Sequence, residues 1–173
     1  GLSAMVAALT HGAGKSDTAA HAELVALGER AQALKESLLL AIDRDSAAFD
    51  AIVAARRLPK KTDEQQAMRL EAIQAATRRA TDVPLSVVEA AAEVAELAIE
   101  ATRLGLSAAA SDCGVAAWSA RAAAEGAALN VRINLPGLES ASERAAYRSR
   151  LETALERARL ACDQALAIVE TKL

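Results

Sequence analysis

Between residues 16 and 57, Leu24, Leu27, Ala31, Leu34, Leu38, Ile42, Phe49 and Ile52 recur at helical spacing. That periodicity lines up one face of an α-helix. Similar stripes return down the rest of the chain, and no stretch sustains the apolar–polar alternation of a half-buried strand. The reading is an all-α fold, a single-domain multihelical bundle over residues 1–173, a length that suits one domain with its own core. Hydrophobic residues make up 53% of the chain and aromatics only 2%, so the interior has to be built from alanine, leucine, valine and isoleucine. Such small side chains require helices that approach closely, within protomers and between them, and a two-fold dimer is expected.

Local signals set the boundaries. "GLSAMVAALT" opens on an apolar helical run with no cap before it, so residues preceding Gly1 are expected in the native protein. The helix from Ser16 ends before Pro59. Thr62, followed by Asp63, Glu64 and Gln65, supplies an N-cap with acids in the first turn of a helix to about Arg79. "ATDVPLS" reads as a restart, with Asp82 capping, Pro84 in the first turn and Gly105 closing. A central Ala-rich buried helix is expected from about Ser107 to Val131. "NVRINLPGL" then forms a turn, and a last helix runs from a Ser142 cap with Leu151, Leu155, Ala158, Cys162, Ala165 and Val169 inward.

Composition excludes several classes of function. The 20 basic and 23 acidic residues are dispersed, and three scattered aromatics offer no stacking platform, so nucleic acid is not expected as a partner. No uncharged apolar run approaches the roughly 18 residues of a membrane span, and no signal peptide opens the chain. Cys113 and Cys162 lack CxxC spacing and read as reduced thiols, which with the previous point suggests a cytoplasmic protein without membrane association. His11 and His21 read as surface histidines, too few with the scattered acids for a metal site, and none is expected. "HGAGKSD" lacks the spacing of a phosphate loop and follows no strand, although it can bind an anion.

Two carboxylates stand out. Asp112 sits in "AAASDCGVAAWSA", where the helix reads as apolar on all sides, and Asp45 falls on the stripe between Ile42 and Phe49, whereas Asp43 points elsewhere. Burial disfavours the ionised form and moves a carboxyl toward the range useful for proton transfer, and an ionised one can hold a cation. The competing reading is that each bonds a helix end or an arginine and fixes packing. Asn130 and Asn134 either brace a turn or contact a ligand. Lys60 and Lys61 either stand solvated in a loop or meet an anion near a helix N-terminus. Ser111 has no histidine spaced to make a triad.

"AMVAALT", "AAFDAIVAARRLPKKTDEQQAMRLEAIQAATRRATDVPLSV", "SDCGVAA" and "ALNVRINLPGL", in that order, resemble the cyclodeaminase/cyclohydrolase family, which includes formiminotransferase-cyclodeaminase and the bacterial methenyltetrahydrofolate cyclohydrolases. The resemblance implies a multihelical homodimer with a tetrahydrofolate derivative as substrate, bound near the subunit contact. It implies methenyltetrahydrofolate cyclohydrolase activity or, as the close alternative, formiminotetrahydrofolate cyclodeaminase activity with release of ammonia. Asp112 and Asp45 take the acid–base or cation-stabilising roles, Ser111, Asn130 and Asn134 position the substrate, and Lys15 or Lys60 meets its anionic tail. The family tends to carry a lysine-rich run where this chain has "HGAGKSD", and Gly-Asn where it has Gly105-Leu106. These differences favour an alternative of another class, a non-catalytic helical dimer acting as a binding or structural partner.

Overall fold

The structure is a computed structural model that describes residues 1–12 and 18–173. Among the described residues there are five α-helices and no strand: α1 (Leu2–Gly12), α2 (Thr18–Arg57), α3 (Asp63–Leu104), α4 (Ala110–Asn134) and α5 (Ala141–Glu170). Short 3-10 turns at Ser107–Ala109 and Leu135–Gly137 precede and follow α4. No helix among these residues is long and apolar enough to cross a membrane.

Interhelical pairs fix the directions. Arg30 bonds Glu100, and Arg69 donates to the Arg56 carbonyl, so α2 and α3 run antiparallel. Glu89 meets Arg150 and Glu96 meets Arg157, equal seven-residue steps that make α3 and α5 parallel. Arg121–Asp163 and Glu125–Arg159 make α4 and α5 antiparallel. Each such surface pair contributes about 0–1 kcal/mol, so they record the register more than they hold it. Stability lies in the core, where Leu85, Val88, Leu97, Val131 and Leu138 are fully buried, each worth about 1.5–3 kcal/mol over an exposed side chain. Ala92, Ala98, Ala117, Ala128, Ala158 and Ala165 fill the seams between them with no accessible surface.

Several local expectations hold. The Thr62 side chain accepts from the Gln65 amide, Gly105 closes α3, and the α5 stripe from Leu151 to Val169 is buried. A Cβ at Gly105 would lie 2.5 Å from the Ala101 oxygen and 2.7 Å from Val6 Cγ1, so the α3 end needs glycine to let α1 approach. Lys172 Nζ donates to the free carbonyls at that helix end, including that of Thr102, and adds a charge that suits a helix C-terminus. The buried hydroxyls of Thr10, Thr81 and Thr102 all bond the carbonyl four residues back.

Three expectations are corrected. α3 does not restart at "ATDVPLS" but continues through Pro84, and Asp82 is an interior helix residue whose carboxylate accepts from Tyr147 rather than a cap. The carbonyl of Ala80, deprived of a donor by Pro84, is bonded instead by Nδ2 of Asn134 at 2.6 Å. The cap of α5 is Ser140, whose side chain accepts from the Glu143 amide, rather than Ser142. The helix at the centre is α3, which packs against α2, α4 and α5. The Ala-rich α4 buries Ala117, Ala120, Ala124 and Ala128 but leaves Val115, Trp118, Leu129 and Ile133 exposed, so it is apolar all round yet covered on one side.

Candidate functional site

A groove of about 510 Å³ opens between α1, α2, α3 and α4. Leu38, Leu39 and Ile42 of α2 form one wall, Ala116, Ala120 and Ala123 of α4 the other, and Val94 of α3 contributes to the lining. Alanines on α4 are what make room, since a larger residue at any of those positions would close the space. Polar groups are few: the Lys35 ammonium, the Ser119 hydroxyl, and Ser3 at the α1 end. Such a slot suits a flat, mainly apolar molecule, with one cation to meet an anionic substituent. Lys35 and Ser119 went unnoticed in the sequence because an exposed lysine and serine on helices carry no local signature.

The sequence-derived residues fall around this groove unevenly. Asp112, Ala116, Ser119 and Ala123 follow one another at three- and four-residue steps, so Asp112 stands on the groove-lining face of α4, one turn or about 6 Å beyond Ala116. Asp112 is half-buried rather than enclosed, and it lies in the first turn of α4, where the helix dipole favours a negative charge. That position answers why a carboxylate is tolerated among alanines. It neighbours Cys113, whose thiol is pushed up chiefly by burial and further by the Asp112 charge, while Thr102 and Lys172 pull it down.

Asp45 is exposed, contrary to the burial expected from its stripe. The stripe itself is real: Leu38 and Ile42 line the groove, Asp45 follows one turn on, and Phe49 comes next. Ile42 and Phe49 are nonetheless 63% and 65% exposed, so this face is open rather than packed against the bundle. Asp45 and Asp112 lie at opposite ends of the groove. The Cys113 thiol lies near Thr102, whereas Ala48, one turn past Asp45, shares a cleft with Asp82. The interval from Asp82 to Thr102 along α3 is roughly 30 Å, so one protomer does not bring the two carboxylates together.

Ser111 is exposed at the start of α4. Asn130 is exposed on the same helix, and Asn134, half-buried, is already bonded to Ala80. Lys60 is exposed in the loop between α2 and α3, far from the groove at the tip of the hairpin they form. Lys15 lies outside the described residues, as does the side chain of His11, while His21 is half-buried. No group of three or more His, Cys, Asp or Glu able to hold a metal occurs among the described residues.

The family model described as Formiminotransferase-cyclodeaminase matches residues 1–153. The chain is 41% identical over 138 residues to a methenyltetrahydrofolate cyclohydrolase of Methylorubrum extorquens, an alignment covering 80% of this chain and 66% of that protein. It is 35% identical over 118 residues to the formimidoyltransferase-cyclodeaminase of Sus scrofa, covering 68% of this chain and 22% of that one. It therefore spans less than two thirds of the first of these relatives and under a quarter of the second. In fold it is similar to the formiminotetrahydrofolate cyclodeaminase of Thermotoga maritima, with a TM-score of 0.84 at 21% identity over 98% of this chain and 80% of that one.

Proposed function

Because the chain belongs to the formiminotransferase-cyclodeaminase family, we propose that it is a tetrahydrofolate one-carbon enzyme, a methenyltetrahydrofolate cyclohydrolase that forms the 10-formyl derivative. The observation that carries this reading is the 41% identity to a protein of that name, joined to an apolar groove with a carboxylate one turn from its wall. In this reading residues 1–173 act as one helical domain in the cytoplasm, and folate is substrate, with no metal required.

The chemistry asks little of the protein. The methenyl group is a cation, and the ionised Asp112 stabilises it electrostatically at the groove mouth. Water adds to the methenyl carbon as Asp112 takes one of its protons, the remaining hydroxyl proton passes to N5 as the bond from that carbon to N5 breaks and the formyl group stays on N10, and Asp112 releases its proton to solvent. The pterin and aryl rings lie between Leu38 and Ile42 on one side and Ala120 and Ala123 on the other. Ser119 orients polar edges, and Lys35 joins Lys15 as a candidate for the anionic tail.

A homodimer belongs to the same reading. Leu39, Ile42 and Phe49 on α2 and Val115, Trp118, Leu129 and Ile133 on α4 are all more than half exposed, and large apolar side chains left in water in such number mark a face that a partner covers. A two-fold contact across these faces would cover the open side of the groove. Asp45, on the edge of that surface, then serves the partner's groove rather than its own, and Lys60 at the hairpin tip has the same opportunity.

Loss of methenyltetrahydrofolate absorbance on adding the protein tests the proposal, with Asp112→Asn expected to reduce turnover at least a hundredfold. Unchanged turnover in the variant removes Asp112 from the mechanism. Ammonia release from formiminotetrahydrofolate identifies the cyclodeaminase alternative, which the shared family and the Sus scrofa relative support. A protein that turns over neither substrate and binds neither is the non-catalytic helical dimer.

A further inference from the structure

Pro84 has no amide hydrogen, so the carbonyl of Ala80, one turn before it in α3, has lost its intrahelical donor. Asn134 Nδ2, from the last turn of α4, occupies that vacancy at 2.6 Å. We infer that Asn134 is a positioning residue, the clasp that holds α3 continuous across Pro84.

The chemistry is specific. A carbonyl oxygen accepts and does not donate, so it is an N–H of the Asn134 amide that serves there. The joint also has leverage. The half of α3 before Pro84 pairs with the part of α2 leading to Lys60, whereas the half after it packs beside the α4 turn that carries Asp112. A proline within a helix sets a bend at that point, and the Asn134 bond fixes α4 to it. Gln74 makes a second tie, donating to the Gly137 carbonyl at 3.0 Å and accepting from the Glu139 amide at 3.1 Å. The "VPL" and "NVRIN" segments, distant in sequence, are thus two halves of one joint.

A thermodynamic cycle tests it with wild type, Asn134→Ala, Pro84→Ala and the double variant. With Pro84 present, Asn134→Ala is expected to lower the melting temperature by several degrees. With Pro84→Ala it should lower it by less than half as much, because residue 84 then donates its own amide to Ala80. Equal losses in both backgrounds would overturn the clasp. If Asn134→Ala alone does not fold, the double variant should, and its failure to fold overturns the clasp equally. A residue touching folate would raise KM in both backgrounds alike, whereas the clasp leaves KM of the double variant within twofold of Pro84→Ala. The melting cycle decides the clasp whether or not the protein binds folate, so its failure is distinct from a failure of the folate reading.

Discussion

The hydroxyl of Tyr147 donates a 2.7 Å hydrogen bond to Oδ1 of Asp82, tying α5 to the turn of α3 just before Pro84. Burial, and then the neighbouring Asp82 carboxylate, push the Tyr147 pKa up to about 12. An unfolded tyrosine titrates near 10, so the folded state keeps its proton over a range where the unfolded state loses it. The stabilisation is therefore complete below about pH 10 and is lost as pH rises toward 12, amounting to roughly 2–3 kcal/mol. The chain has a single tyrosine, and ultraviolet titration of its phenolate reads this group alone. The expected midpoint is near 12 in native protein and near 10 in urea, with equal midpoints counting against the buried pair.

Filling the groove should separate binding from folding. Ala123 lines the α4 wall and is exposed to the open space, so Ala123→Leu adds bulk where no core atom has to move. Affinity for methenyltetrahydrofolate is expected to fall at least tenfold, with the urea midpoint changing by less than about 0.5 kcal/mol in stability. Unaltered affinity would place the folate elsewhere.

Ile42 and Ile133 are 63% and 76% exposed on the open faces of α2 and α4. If these faces meet across a two-fold axis, every substitution acts twice, and a charge there loses the burial of an isoleucine, about 1.5–3 kcal/mol per copy. Ile42→Glu combined with Ile133→Glu should convert a dimer to a monomer in sedimentation velocity while far-ultraviolet circular dichroism stays helical. A wild-type monomer at micromolar concentration would refute the contact.

How much of this was legible beforehand depends on the kind of signal. Thr62 and Gly105 were readable because a cap is a matter of a few adjacent residues. The α5 stripe was readable because one neighbour-facing side repeats at helical spacing. Pro84 misled because a proline is normally a local stop, and the donor that removes its penalty, Asn134, comes from another helix. Asp45 misled for a related reason: periodicity reports that a face is apolar, not whether this chain, a ligand or a second copy covers it. Nothing in the sequence joined Asp112 to Lys35 and Ser119, since the groove exists only once four helices are assembled.

Gly105→Ala probes the tightest of those approaches. The new methyl would meet the Ala101 oxygen and Val6 Cγ1 at distances real Cβ atoms do not show, and backbone cannot yield as a side chain tip does. A destabilisation of about 1–3 kcal/mol is expected, seen as a lower urea midpoint with an unchanged slope. A neutral outcome would mean that α1 is free to shift away from the α3 end.

The two thiols sit in different seams, Cys113 beside Thr102 of α3 and Cys162 beside Arg121 of α4, at 1% and 0% exposure. Burial raises both above their ordinary pKa, which further suppresses the reactive thiolate. Alkylation by a small reagent therefore has to wait for the seam around each sulfur to part. The chain carries two built-in clocks, and single-cysteine versions would time the separation of α4 from α3 independently of its separation from α5.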